Sequence, residues 1–216
     1  MSAQLSALLN HPAIWRGGEL ARVADGIPTG FPELDALLPG GGWPNGALTE
    51  LLIERQGIGE LSLLTPALAK VSQAGRTLAF VAPPYLPYAP ALARGGIALD
   101  ELFLIDIKFP KDKIWVMEQA LRSGVCGAVL GWQFPDDDRT LRRLQLAAEE
   151  GKSWGVLFRA AESIHRASPA ALRLFLTPGR GNDGAQDKLV LRVLKRRGGG
   201  KVNAVVNVRN VCKSGF

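Results

Sequence analysis

Glu50-Leu-Leu-Ile-Glu-Arg-Gln-Gly-Ile-Gly-Glu-Leu61 is the stretch from which the rest of the chain can be read. The apolar run from Ala47 to Ile53 reads as a buried strand. Gly57 and Gly59 make a turn, and a helical pattern follows from Leu61 to Gln73. Strand, glycine turn and helix in this order is the layout of a phosphate-binding loop. A working loop reads G-x-x-x-x-G-K-[ST]: its amides cradle phosphates, its lysine reaches the terminal ones, and its hydroxyl holds magnesium. With Gly59 on the second glycine, Glu54 falls on the first, Glu60 on the lysine and Leu61 on the hydroxyl.

The substitutions carry a sign and a size. A lysine ~4 Å from a phosphate charge gains ~4 kcal/mol at an effective dielectric of ~20, and a glutamate there repels by a similar amount. Half of that swing is worth several hundred-fold in binding, since ~1.4 kcal/mol is tenfold. Leu61 offers magnesium no ligand. The layout is kept and the chemistry of Glu54, Gly57, Gly59, Glu60 and Leu61 is that of a degenerate loop. The plainer alternative is two glycines that merely follow a strand.

Composition bounds the rest. The chain has 216 residues, 47% of them apolar, which is ample for one core, or one core with a tail. Mean hydropathy of +0.08 fits a soluble globular chain. No uninterrupted apolar window reaches spanning length and Met1 to Asn10 lacks the pattern of an export signal, so a cytoplasmic protein without membrane partners is expected. Cys126 and Cys212 are too few for a disulfide framework, and Cys126 lies in a strand-like run as a buried thiol. His11 and His165 have no second ligand close in sequence, so neither a metal nor a cofactor is expected.

The net charge of +6 is concentrated at one end. From Gln186 to Phe216 there are eight Lys/Arg and one acid, whereas the preceding residues hold 18 bases against 19 acids. A basic tail on a neutral body points to an acidic partner, nucleic acid or protein, or else to a solvated strand pair.

Before the loop stands Gly26-Ile-Pro-Thr-Gly-Phe-Pro-Glu-Leu-Asp-Ala-Leu-Leu-Pro-Gly-Gly-Gly-Trp-Pro-Asn-Gly46: a turn, a short helix over Pro32 to Leu38, and a glycine-proline connection. Thr-Gly, Leu-Asp-x-Leu-Leu, Gly-Gly-x-Pro-x-Gly and then the strand resemble the opening of the RecA/RadA/KaiC-type ATPase core, over roughly Ala24 to Phe158. Beyond it, strands at Thr77–Ala82, Leu102–Ile107, Cys126–Trp132, Trp154–Arg159, Leu172–Thr177 and Lys188–Leu194 alternate with helical patterns as far as Arg159. The intervening helices are a short one reaching Arg94, Lys111–Ser123 and Asp136–Glu150. The expected class is α/β: a RecA-like core with a mostly parallel sheet flanked by helices, and a C-terminal basic β-hairpin closed by Val202–Val208. The expected divisions are an arm over 1–23, the core over 24–178, and a loop with a basic hairpin or tail over 179–216.

The resemblance also says where catalytic residues should stand. The magnesium-orienting Asp falls on Gly131 or Trp132, the water-activating Glu near Pro83 or Pro84, and the polar sensor near Arg159. With the lysine, that makes four losses, which implies a pseudo-ATPase rather than an enzyme. Asp136, Asp137 and Asp138 begin a helix and read as caps rather than a metal cluster. On that helix Leu141, Leu144 and Ala148 form an inward stripe, with Arg139, Arg142 and Arg143 facing elsewhere.

Lys195, Arg197 and Gly199 look like the K-x-R-x-G element of RadA and replicative-helicase relatives. Lys195, Arg196, Arg197, Lys201 and Arg209 are therefore candidates for partner or DNA binding. A small RecA-like chain with a dead loop and this tail resembles the ImuA family, accessory to damage-induced translesion synthesis and related to the division inhibitor SulA. That resemblance implies an ImuB-like inactive Y-family polymerase and RecA as partners, with an error-prone replicative-type polymerase as an indirect one. The alternative is a SulA-like inhibitor of division that binds the tubulin-like GTPase FtsZ. The glycine-proline opening and the basic tail weigh toward the first of these.

Overall fold

A computed structural model describes residues 26–107, 109–134, 137–179, 188–196 and 202–207. The expected arm over 1–23, Cys212, Asp136, most of the loop after Gly179, and Arg197, Lys201 and Arg209 lie outside the described residues.

Eight strands form one sheet in the order β3-β2-β4-β5-β1-β6-β7-β8. They are β1 Leu48–Ile53, β2 Thr77–Val81, β3 Leu102–Ile105, β4 Cys126–Trp132, β5 Trp154–Ala160, β6 Leu172–Gly179, β7 Lys188–Lys195 and β8 Val202–Asn207. From β3 across to β6 every neighbouring pair is parallel. Strand β7 runs antiparallel to β6, and β8 antiparallel to β7, so the basic hairpin extends the same sheet. β1 and β4 are buried along their whole length, as continuous apolar strands covered on both faces must be.

The helices are α1 Pro32–Asp35, α2 Glu60–Gln73, α3 Ala89–Arg94, α4 Pro110–Arg122 and α5 Asp138–Gly151. One face of the sheet packs residues of α1, α2 and α3 in a core with Leu51, Phe80, Trp154 and Leu191. The other packs α4 and α5 against Leu48, Ala79, Val129 and Leu157. Leu141, Leu144 and Ala148 face inward as the stripe predicts, while Arg139, Arg142 and Arg143 are exposed and Arg143 pairs with Glu118 on α4. Among the described residues no helix is long and apolar enough to cross a membrane.

The glycine-proline opening fastens the first face. Ile27 and Trp43 exchange backbone hydrogen bonds, both at 2.8 Å. Gly42 permits that approach, because a Cβ there would lie 2.2 Å from the Ile27 carbonyl oxygen. Trp43 is thereby fully buried and stacks on Trp154 at 5.4 Å between ring centroids. The short helix predicted to reach Leu38 is only the four residues of α1, since Leu38 leaves the helical region ahead of Pro39.

A candidate functional site at the glycine turn

Strand β1 leaves the sheet at Ile53 and the chain turns through Gly57 (φ 78°) and Gly59 (φ 105°) into α2. Both glycines take the left-handed conformation that a side chain would oppose. The turn aims three successive amides at one point, and that point is occupied. Glu60 folds back: its Oε1 accepts from Gly57 N–H at 2.9 Å, and its Oε2 from Ile58 N–H at 2.9 Å and Gly59 N–H at 3.1 Å. Glu60 is only 7% exposed although it begins a helix. Consecutive amides of this kind form an anion-binding concavity, and the N-terminus of α2 adds its favourable dipole. Sequence reasoning treated Glu60 as a charge that repels phosphate and missed that its carboxylate accepts from these amides. The -Gly-x-Gly-Glu- run was the available signal.

Of the other loop positions, Glu54 is exposed and Leu61 half-buried. A cleft of ≈ 390 Å³ adjoins the turn, lined by Gly59, Glu60, Pro83, Leu86 and Trp132 among others. Glu60, Pro83, Pro84 and Trp132 line this cleft at the C-terminal ends of the parallel strands, where open α/β sheets bind ligands, whereas Arg159 lines a second cleft with Glu54 and Gln133. At Gly131 any side chain would meet Phe134 at 2.4 Å and the Met117 sulfur at 2.6 Å, so the space an aspartate needs is already filled. Trp132 beside it is buried, stacks on Phe158 at 4.7 Å, and meets Phe80 edge-on at 5.7 Å.

Arg159, where the resemblance expects a polar sensor, is held on β1. Its Nη1 lies 2.7 Å from Glu50 Oε1 in the middle of β1, and Arg173 Nε on β6 lies 2.7 Å from Glu50 Oε2. Ser168 Oγ donates to Glu50 Oε1 at 2.5 Å. Arg173 also donates to the carbonyls of Arg166 and Ser163, each at 2.8 Å. Glu50 is wholly buried and gives two flanking guanidinium groups one shared counter-charge. The sequence pattern held no sign of this cluster, because Glu50 stands more than a hundred residues from each of its partners in the chain.

Above the cleft, the bend between β2 and α3 is the most exposed apolar surface of the site. Tyr85 is 76% exposed, Leu86 83% and Tyr88 67%. Backbone strain concentrates at the same rim, where Ala82 (φ 51°) and Gln133 (φ 57°) follow β2 and β4 in the left-handed region.

The described basic candidates fall at the opposite side of β1. Lys195 Nζ donates to the Ser168 carbonyl at 2.7 Å, Arg196 donates to the Leu37 carbonyl, and Arg192 covers the Phe175 ring at 5.2 Å. Each is drawn back onto its own fold, and none reaches the glycine turn. Asp137 caps α5 by accepting from Thr140 N–H at 2.7 Å. Among the described residues no group of three or more His, Cys, Asp and Glu is placed to hold a metal ion.

The class these features define is an α/β protein with a mostly parallel sheet whose phosphate-type turn is filled by its own carboxylate. Residues 46–155 match the family model described as "Cell division inhibitor SulA", about half of the chain, and the protein belongs to that family. It is 28% identical over 125 residues to the cell division inhibitor SulA of Serratia marcescens, covering 57% of this chain and 73% of that one. It is 31% identical over 100 residues to that of Edwardsiella piscicida, covering 46% and 60%. A Yersinia pestis SulA (strain Pestoides F) is 31% identical over 99 residues, covering 45% of this chain and 58% of its own length.

The family match corrects the sequence-based preference for an ImuA-like translesion accessory protein. That preference rested on the Gly26–Gly46 opening and the basic tail, and the match begins where the opening ends and stops before the tail. Features at the two ends were given more weight than the body of the domain.

Proposed function

We propose that this protein is a SulA-like inhibitor of cell division that acts by binding the tubulin-like GTPase FtsZ, without catalysis of its own, as part of the SOS response to DNA damage. The observation that carries this reading is the match of residues 46–155 to the SulA family. The RecA-like character proposed for the core is supported by the parallel strands around β1 and the turn into α2. A binding role rather than turnover is supported by the filled turn, by Trp132 in the cleft with no space for a side chain at Gly131, and by Arg159 held on Glu50.

The docking face we assign is the bend from Pro83 to Pro90. Apolar side chains as exposed as Tyr85, Leu86 and Tyr88 are costly unless a partner covers them, and aromatic anchors dominate protein interfaces. Pro83, Pro84 and Pro87 restrict the backbone of the segment and limit the entropy lost on docking, while Pro90 sits in the first turn of α3.

The test is direct. Induced expression in a rod-shaped bacterium should give filaments, and the purified protein should lower FtsZ sedimentation and GTP turnover at stoichiometric ratios. Leu86→Asp should abolish both effects at unchanged melting temperature. Normal division together with undisturbed FtsZ polymers would overturn the proposal.

A further inference from the structure

We infer that Glu60 is a built-in substitute for phosphate: its carboxylate occupies the amide nest of Gly57, Ile58 and Gly59, so the turn keeps its shape without nucleotide and is closed to it. The inference deepens the non-catalytic reading above and rests on it only for the meaning of the loop, not for the partner.

Three observations carry it. Both carboxylate oxygens are used, one by Gly57 and the other by Ile58 and Gly59. The group is anionic, which is what a nest of N–H donors at a helix start selects. Finally, the cleft beside the nest is still open, ≈ 390 Å³ in volume and reached by Gly57, Gly59 and Glu60. The closure is therefore local: space for a ligand remains, but the donors that would hold its phosphate are taken.

The geometry also says which substitutions release the nest. Alanine at 60 leaves three converging donors without an acceptor. Glutamine keeps the shape but replaces one carboxylate oxygen with an NH2 group, so a donor faces either Gly57 N–H or the Ile58 and Gly59 pair. Both variants should accept an inorganic anion where the native protein does not.

The experiment is thermal unfolding of the full chain in a phosphate-free buffer, titrated with orthophosphate, for native protein, Glu60→Ala and Glu60→Gln. Asp137→Ala, which removes the cap of another helix, controls for general salt effects. Glu60→Ala should melt lower than native and regain stability saturably, by about 5–10 °C when orthophosphate reaches a hundred times its Kd. Native protein and Asp137→Ala should show only a small unsaturated drift. Should Glu60→Ala fail to fold, Glu60→Gln gives the same comparison with the side-chain volume preserved. A phosphate response in the Glu60 variants no larger than in Asp137→Ala would overturn the inference, as would saturable binding of orthophosphate to the native turn. Neither outcome bears on FtsZ, so the failure of this inference and of the division reading can be told apart.

Discussion

Glu50 is the residue on which the middle of the sheet depends most. Arg159 and Arg173 are 3% and 6% exposed, and Glu50 is the carboxylate both of them share. Removing one member of a buried charge cluster costs about 3–5 kcal/mol, because the other charges stay buried without compensation. Glu50→Gln is therefore expected to lose at least about 3 kcal/mol in urea unfolding; a loss near zero would show the cluster to be hydrated. At Asp137 the effect is smaller and depends on pH. The Thr140 hydroxyl and N–H hold its carboxyl below the ordinary range, so the carboxylate form is favoured in the folded state. Such a group stabilises at pH values above the unfolded pKa of about 3.9, and that contribution fades as pH falls through the lower folded value. Asp137→Ala should cost about 1 kcal/mol at neutral pH. The gap between variant and native should narrow on acidification below about pH 4, measured by denaturant unfolding at each pH. Burial pushes the Cys126 thiol up, so it stays protonated well into the alkaline range and should react with disulfide reagents only on unfolding.

Among the elements, the opening segment and the turn show how much local geometry hangs on one glycine. Gly42 lies against Ile27 where a methyl would sit 2.2 Å from a carbonyl oxygen. Gly42→Ala must break the Ile27–Trp43 bridge and loosen Trp43 from Trp154. Overpacking of this kind costs about 1–3 kcal/mol, a fall of roughly 2–10 °C in melting temperature for a chain of this size. Calorimetry checks it, and a native-like melting point would mean that the segment is held by other contacts. At the sheet's far end, Ala204 and Val206 of β8 are covered and Val205 is 58% exposed. That alternation was readable in advance from the valine spacing. The ends of α1 and β3 were not. α1 stops at Asp35, ahead of Pro39, and β3 stops at Ile105, short of the expected Ile107.

For the whole molecule, the question is which surface meets the partner. Net charge of +6 invites an electrostatic answer, but on β7 Lys195 bonds to the Ser168 carbonyl and Arg192 covers the Phe175 ring, and the exposed apolar bend lies by the cleft. Docking through Tyr85, Leu86 and Tyr88 predicts FtsZ affinity that changes little between 50 and 200 mM salt, in a titration by fluorescence anisotropy. Surface charge pairs would weaken over that range as screening shortens their reach from more than 10 Å to less. A steep loss of affinity with salt would move the interface to the basic end.

The alternation of apolar runs and helical patterns was enough to determine the α/β class and the position of most strands. These are local properties, carried by neighbouring residues at periods of two and 3.6. The family was half legible: the same residues pointed toward SulA, but the choice between relatives was made on the opening and the tail rather than on residues 46–155. Tertiary structure alone decided where the charges go. Glu50 meets Arg159 and Arg173 because β5 and β6 flank β1, at separations of 109 and 123 residues that no spacing rule spans. Glu60 meets the amides of Gly57, Ile58 and Gly59 only once two left-handed glycines have turned the chain back on itself. A sequence records which charges are present. The partner of a buried charge is set by the fold, because only there is water excluded and a specific counter-group required.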